Sequence, residues 1–137
     1  MLQPKKTKYK NRFRGRMKGM SVSGSRVCFG DFGLKSLTRS IVSASQIEAA
    51  RKAISNHTKR KAKIWIRIFP DKPITKKAPG APMGAGKGDI DHWGAVVKPG
   101  RIIFEIGGVP FDIAEGALIK AGHKLSVRTK LVKREGE

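Results

Sequence analysis

The clearest periodicity in the chain is an alternation of residue types over AKIWIRIF, residues 62–69. A period of two places successive side chains on opposite faces of a strand. One face holds four apolar residues that are expected in the core, namely Ala62, Ile64, Ile66 and Ile68. The other face holds Lys63, Trp65, Arg67 and Phe69. This mixture of cations and aromatic rings suits base stacking, and it suits half-burial in a second layer equally well.

Five further stretches predict short strands. SRVCFG (25–30) and LKSLTRSIV (34–42) are separated by a turn signal at residues 30–33. WGAVV (93–97) and RIIFEI (101–106) flank the sequence KPGR (98–101), which is typical of a hairpin turn. LSVRTKLV (125–132) predicts a closing strand, with Leu125, Val127 and Leu131 facing inward.

Two helices are predicted between these strands. The first begins at SASQIEAARKAISNH, where Ser43 and Gln46 form a capping box and Val42 and Ile47 a hydrophobic staple. Its apolar stripe is Ile47, Ala50 and Ile54. The second helix is predicted within VPFDIAEGALIKAG (109–122), with Pro110 near its first turn and Gly122 at its C-terminal end. Its stripe is Ile113, Ala114, Ala117, Leu118 and Ala121.

The order of these elements, ββαβ–loop–ββαβ, predicts a single compact α+β domain over residues 24–134. A long Pro- and Gly-rich segment, residues 70–92, is expected to be an extended loop with a function of its own. Residues 1–23 are expected to form a basic extended arm, and residues 135–137 a C-terminal tail. The domain is therefore expected to carry two extensions, an arm and a loop.

Charge points to a polyanionic partner. The 137 residues include 30 Lys+Arg and 10 Asp+Glu, for a net charge of +20. Nucleic acid is the first candidate partner and an anionic membrane surface the second. Residues 1–20 contain eight cations and no acid, with two aromatic residues among the cations, as in arms that neutralise phosphates and stack on bases. The arm residues expected to bind RNA are Lys5, Lys6, Lys8, Tyr9, Lys10, Arg12, Phe13, Arg14, Arg16 and Lys18.

A second group of cations lies on or just after the first helix. These residues are Arg51, Lys52, Lys59, Arg60 and Lys61. Their spacing fits solvated charges and an RNA-facing edge alike. Arg51, Lys59, Arg60 and Lys61 are the candidate RNA contacts among them.

The loop sequence GAPMGAGKGD (80–89) superficially resembles a nucleotide-binding loop. A phosphate-binding loop of NTPases needs G-x-x-x-x-G-K-[ST], but here Ala81 takes the place of the first glycine and Gly88 that of the hydroxyl residue. The potential metal ligands Asp89, Asp91 and His92 have no second cluster elsewhere in the sequence. No catalytic residue, metal or cofactor is therefore expected. Flexible glycines with nearby lysines suit close approach to RNA phosphates.

Two other classes are disfavoured. The lone Cys28 excludes an internal disulfide framework, and its apolar neighbours predict that it packs inside the domain. The longest apolar runs, such as residues 102–104, are far shorter than the roughly 20 residues of a spanning helix. No membrane partner is expected.

Six segments together resemble a known family. They are FGDFGLKSL (29–37), QIEAARKA (46–53), KIWIRIFPDKPITKK (63–77), MGAGKG (83–88), W-AVVKPGRIIFEIGGVP (93–110) and KLSVRTK (124–130). In order and spacing they resemble the ribosomal protein sixteen family of the bacterial large (50S) subunit. The resemblance covers nearly the whole chain, and the run from Trp65 to Thr75 followed by the Met83–Gly88 loop is its most specific part.

The resemblance implies a hammerhead-like α+β fold bound to large-subunit (23S-type) rRNA, late incorporation during subunit assembly, and a role in translation without catalysis. It also implies contacts with neighbouring large-subunit proteins and with the aminoacyl-site tRNA, the peptidyl-site tRNA being a second candidate. No homo-oligomer is expected. The loop residues that it assigns to rRNA and tRNA are Lys76, Lys77, Met83, Gly84, Gly86, Lys87 and Gly88.

The loop tip departs from the family pattern. Pro82 stands where the family commonly has an arginine, and Ala85 where a basic residue is frequent. The tip therefore has fewer cations than usual, and its RNA contacts are expected to be weaker or made by backbone amides. The alternative function is a free-standing basic RNA-binding chaperone. The expected location is the ribosome in the cytoplasm, with a bacterial and an organellar source both open.

Overall fold

The computed structural model describes residues 2–3, 24–76 and 89–134, with the backbone only at residues 76, 89 and 90. Within these ranges, seven strands and two helices follow one another along the chain. They are β1 (Phe32–Ser36), β2 (Ser40–Ser43), α1 (Ala44–His57), β3 (Lys63–Ile66), β4 (Lys72–Lys76), β5 (Asp89–Val97), β6 (Ile102–Gly107), α2 (Phe111–Gly122) and β7 (Thr129–Lys133).

The strands form two antiparallel sheets. The larger sheet has the order β3-β6-β1-β7, and the smaller has the order β2-β5-β4. All six residues of the central strand β6 are buried, as expected for an interior strand. Two helices combined with antiparallel sheets around a common core confirm the expected single α+β domain.

Both helices pack on one face of the larger sheet. The apolar residues Ile64 and Ile66 of β3 lie on this side and contact the core that contains Phe104 and Ile106. The predicted stripe of α1 is confirmed, because Ile47, Ala50 and Ile54 are fully buried. The stripe of α2 is correct at its four other positions, but Ile113 is 39% exposed. It lies on the edge of the helix next to the exposed Asp112.

The capping box at the start of α1 is also confirmed. The backbone N–H of Gln46 donates to the Ser43 hydroxyl at 3.2 Å, and the backbone N–H of Ser43 donates to the Gln46 side chain at 3.0 Å. The two bonds satisfy amide groups that have no partner within the helix. They fix the point at which β2 passes directly into α1.

The strand predictions before α1 were wrong in their bounds. Residues 25–30 do not form a strand, since this irregular segment turns its amides toward a buried carboxylate of β6. Cys28 is exposed in this segment, contrary to the expected packing. The stretch 34–42 is divided between β1 and β2, which belong to different sheets. Local alternation cannot distinguish one strand from two that continue in different sheets.

The predicted hairpin at residues 98–101 was also wrong. The turn exists, with Gly100 at a φ of 94°, but β5 and β6 belong to different sheets and do not pair. The turn instead carries the chain from one sheet to the other.

The expected loop 70–92 contains strand β4 and the first part of β5, which pair from Lys72 opposite Gly94 to Lys76 opposite Asp89. The closing strand β7 begins at Thr129, four residues later than the predicted start. The inward side chains of its predicted stretch are confirmed, because Val127 is buried and Leu125 and Leu131 pack against the core.

Candidate RNA-binding surface

The end of α1 presents three consecutive cations in a defined turn. The backbone N–H of Arg60 donates to the carbonyl of Ser55 at 2.8 Å, and that of Lys59 donates to the carbonyl of Asn56 at 3.2 Å. This pair of bonds is the Schellman arrangement, which usually places glycine at the first residue beyond the cap. Thr58 is the cap and is buried, with its hydroxyl donating to the carbonyl of Ile54 at 2.9 Å.

Lys59 and Arg60 both have left-handed backbone conformations, with φ of 52° and 62°. For residues with a Cβ atom this conformation costs about 1 kcal/mol or more relative to glycine. Both side chains are exposed, so core packing does not offset that cost. Backbone strain of this kind is often found at functional sites, which makes Lys59 and Arg60 candidates for a functional role.

The structure brings the cations of α1 together with cations that the sequence reasoning did not select. Arg51, Lys52 and Arg60 line a depression beside the last turns of α1. On the other side of the helix, Lys52, Lys120 and Lys124 line the groove between α1 and α2. We call this surface the basic strip. It comprises the cations that line the depression and the groove, together with the exposed Lys59 and Lys61 on either side of Arg60 in the chain. Its members are Arg51, Lys52, Lys59, Arg60, Lys61, Lys120 and Lys124.

The helices approach closely in this groove because α2 has glycine at position 116. A Cβ atom there would lie 2.6 Å from Nε2 of His57. Glycine has a low helix propensity, but Gly116 leaves the space in which the His57 ring lies against α2. The groove floor consists of Ala49, Ala53 and His57, so its charge comes from the surrounding lysines.

Arg51 differs from the other cations of the strip. Its guanidinium forms an ion pair with Glu48, one helical turn earlier, at 2.6 Å. The hydrogen bond between them lowers the pKa of Glu48 and raises the pKa of Arg51. The pair is largely solvent-accessible, so its contribution to stability is small. Glu48 partly neutralises Arg51, which leaves the lysines and Arg60 as the stronger candidates for phosphate contacts.

The polar face of β3 carries a second cationic surface, this one with aromatic rings. The Phe29 and Trp65 rings are stacked with centroids 6.3 Å apart and planes 20° apart. Lys63 Nζ lies 5.3 Å from the Trp65 ring, and the Arg67 guanidinium lies 5.1 Å from the Phe29 ring. Trp65 is half-buried and the Arg67 side chain is largely buried, whereas Phe29 is 57% exposed. The sequence reasoning missed Phe29 because it assigned residues 25–30 to a strand.

A buried carboxylate organises this surface. Oε1 of Glu105 accepts the backbone N–H groups of Cys28, Phe29 and Gly30 at 2.9, 2.7 and 2.9 Å. Its Oε2 is paired with Arg67. Burial alone would raise the pKa of Glu105, but the amide donors and Arg67 outweigh burial and hold that pKa below its usual value.

The remaining site predictions lie outside the described residues. These are the arm residues Lys5, Lys6, Lys8, Tyr9, Lys10, Arg12, Phe13, Arg14, Arg16 and Lys18, and the loop residues Lys77, Met83, Gly84, Gly86, Lys87 and Gly88. Lys76 is the last residue of β4, where only the backbone is described. The RNA contacts of the arm and of the loop tip therefore stay predictions.

The described residues contain no cluster of three or more side chains suited to a metal ion. Asp91 and His92, considered in the sequence, pair with each other at 2.7 Å on an exposed stretch of β5. Neither α1 nor α2 is long and apolar enough to cross a membrane.

Comparison with known proteins identifies the family. The model of the family described as "Ribosomal protein L16p/L10e" matches residues 4–132. The chain is 60% identical over 132 residues to "Large ribosomal subunit protein uL16" of Christiangramia forsetii, covering 96% of this chain and 95% of that protein. It is 54% identical over 132 residues to "Large ribosomal subunit protein uL16c" of Phaeodactylum tricornutum, covering 96% of each. It is 52% identical over 137 residues to the uL16 protein of Erythrobacter litoralis, covering 100% of this chain and 95% of that one. The chain therefore belongs to the ribosomal protein L16p/L10e family.

Proposed function

We propose that this protein is a structural component of the large ribosomal subunit and binds the rRNA of that subunit. The observation that carries the proposal is 60% identity over nearly the full length of a protein named for that subunit. The protein acts within the ribosome, in the cytoplasm, and supports translation without a reaction of its own.

The basic strip is the proposed rRNA-binding surface of the domain. It combines Lys52, Lys120 and Lys124 around one groove with Arg60 at the adjoining depression. Phosphate contacts of this kind supply affinity and position the protein without reading the base sequence. The left-handed conformations of Lys59 and Arg60 support the assignment. Both side chains are exposed, so packing within the described domain does not offset the conformational cost.

The arm and the loop extend the proposed RNA contacts beyond the domain. The arm carries eight cations and no acid in its first twenty residues. The loop carries Lys76, Lys77 and Lys87 among closely spaced glycines. We assign the loop to rRNA and to the aminoacyl-site tRNA, with the peptidyl-site tRNA as a second candidate. Strands β4 and β5 pair at the base of this loop, up to Lys76 opposite Asp89.

Sedimentation tests the proposed function and separates it from a free-standing RNA chaperone. A cell lysate is run through a sucrose gradient after a moderate salt wash, and each fraction is probed for this chain. The proposal predicts that the chain sediments with large subunits and whole ribosomes. Recovery of the chain at the top of the gradient, above intact ribosomes, would favour the chaperone instead.

A further inference from the structure

An aromatic pair of one exposed ring, Phe29, and one half-buried ring, Trp65, lies outside the basic strip. Phe29 is 57% exposed, although it is a large apolar side chain, and its ring stacks on Trp65. Lys63 and Arg67 lie over the two rings at 5.3 and 5.1 Å. We call these four residues the aromatic–cation cluster. Cations beside accessible aromatic rings are the combination with which proteins hold unpaired nucleotides, since the rings stack on bases and the cations attract phosphates.

The cluster is held in place from beneath. Phe29 donates its backbone N–H to the buried Glu105, and the same carboxylate pairs with Arg67. Trp65 lies directly opposite Glu105 on the neighbouring strand. The Trp65 ring passes over Gly107, where an added Cβ would lie 3.3 Å from the ring. One fully buried carboxylate thus fixes the backbone at Phe29 and the guanidinium of Arg67, which reduces the entropy lost when a base stacks there.

The surroundings favour an RNA occupant over a protein one. Arg26 and Lys61 are exposed on the segments that lead to Phe29 and into β3, so cations adjoin the cluster on both sides. Two acids lie near the cluster. Glu105, at its base, is fully buried and paired with Arg67, and the Asp31 carboxylate lies beside the Trp65 ring over Gly107. Arg26, Lys61, Lys63 and Arg67 outnumber these two acids. Charge complementarity therefore points to a polyanion. Exposed aromatic area without cations would fit an apolar protein surface better.

We propose that Phe29, supported by Trp65, stacks on an unpaired base of the large-subunit rRNA, with Lys63 near the adjoining phosphate. The proposal rests on the proposed function, because it takes the rRNA of that subunit as the partner. It adds a base-stacking site to the phosphate-binding surface of the basic strip. The two surfaces meet at Lys61, the last residue of the strip before β3. The rest of the strip lies along α1 and α2, whereas the cluster lies on β3 and the segment before β1.

The first test measures how tightly variants of the full chain rebind large-subunit particles depleted of the endogenous protein. Phe29→Leu keeps an apolar side chain but removes the aromatic ring, and it should weaken binding roughly 5- to 100-fold. Phe29→Tyr retains stacking and should bind within about two-fold of the wild type. Phe111→Leu is the matched control, because Phe111 is also an exposed ring beneath a lysine, Lys133. It should bind as the wild type does.

The results separate failure of this proposal from failure of the proposed function. If the wild-type chain does not rebind the particles, the ribosomal function itself fails. If the wild type rebinds and Phe29→Leu binds equally well, the stacking site fails while the function stands. If the free Phe29→Leu and Phe111→Leu proteins have equal melting temperatures, a loss of binding by Phe29→Leu comes from the lost RNA contact and not from unfolding. If Phe29→Leu alone fails to fold, a second test decides, because it retains the ring at position 29.

The second test places a photoreactive phenylalanine analogue at position 29, so that the ring is retained. Irradiation of the rebuilt particle and digestion then identify what the ring touches. A cross-link to one or a few rRNA nucleotides supports the proposal. A cross-link to a ribosomal protein, or the absence of any cross-link from a variant that rebinds, overturns it.

Discussion

The Glu105 carboxylate and the Arg67 guanidinium form an ion pair beneath the exposed Phe29 ring. Glu105 is fully buried in β6, and the Arg67 side chain is 15% exposed just beyond β3. The same carboxylate accepts three consecutive backbone amides of residues 28–30. Glu105 therefore stabilises the fold and also holds the backbone of Phe29, a candidate binding residue.

Replacement of Glu105 by glutamine should be strongly destabilising. The amide side chain is isosteric but leaves Arg67 without its charge partner in a largely buried position. Breaking such a pair costs on the order of 3 kcal/mol. Chemical denaturation of the wild type and of Glu105→Gln at pH 7 measures the difference. A loss below about 0.5 kcal/mol would contradict the assigned role of the carboxylate.

The pKa of Glu105 gives the pH dependence a definite sign. Because this pKa is lowered in the folded protein, the ionised carboxylate stabilises the fold above its unfolded pKa, about 4.3. That stabilisation is lost as the pH falls from there through the lowered folded pKa. Melting temperature should therefore fall more steeply below about pH 4.3 in the wild type than in Glu105→Gln. Parallel curves for the two proteins would show that Glu105 does not contribute to acid lability.

Lys59→Gly should stabilise the free protein and weaken RNA binding. The left-handed φ of 52° suits glycine, so the free energy of unfolding should rise by about 0.5–1 kcal/mol. Loss of one phosphate contact should make the log–log slope of affinity against salt shallower by roughly 0.7–0.9. Denaturant titration and salt-dependent rRNA binding measure the two effects.

Lys61→Gly is the control for this substitution. Lys61 is a neighbouring exposed cation whose φ is not positive, so glycine there removes charge without relieving strain. It should weaken binding by a similar factor and bring no gain in stability. Equal stabilisation by both substitutions would show that the gain at position 59 does not come from backbone conformation.

The groove between the helices is tested by the triple variant K52Q/K120Q/K124Q. Removal of three phosphate ligands should reduce the magnitude of the salt slope by roughly 2 to 3. The variant R128Q/K130Q/K133Q removes the same charge from exposed positions on and beside β7. Similar slopes for the two variants would indicate a response to net charge alone rather than to the basic strip.

The arm is expected to contribute a large share of the electrostatic affinity. If it engages six to eight phosphates, the wild-type slope should be roughly −4 to −7. Replacement of Lys5, Lys6, Lys8 and Lys10 by alanine should make that slope clearly shallower while the domain unfolds at an unchanged temperature. A wild-type slope near −1 would show that the arm does not neutralise phosphates.

Local sequence signals predicted the helices well. The Ser43–Gln46 capping box and the stripe through Ile47, Ala50 and Ile54 depend on contacts within a few residues or on one helical face. Both are present in the structure. The inward side of β3 was also predicted, because alternation alone determines which side chains share a face.

Pairing between distant strands could not be predicted in the same way. The turn at Gly100 has the sequence of a hairpin, but hydrogen-bonding partners 50 or more residues away direct β5 to β2 and β6 to β1. Alternation along residues 62–69 placed Lys63, Trp65 and Arg67 of the aromatic–cation cluster on one face, but Phe29 was missed for the same reason. Phe29 reaches Trp65 only because Glu105, far along the chain, binds the backbone of residues 28–30.

The most direct test of the proposed rRNA-binding surface is chemical labelling of lysine amines in the free protein and in purified large subunits. Mass spectrometry then gives the labelling rate at each lysine. The basic strip predicts strong protection at Lys52, Lys59, Lys61, Lys120 and Lys124 in the subunit, and continued labelling at Lys130, which is exposed on β7. Equal labelling of the strip lysines in the free protein and in the subunit would contradict the proposal that this surface faces rRNA.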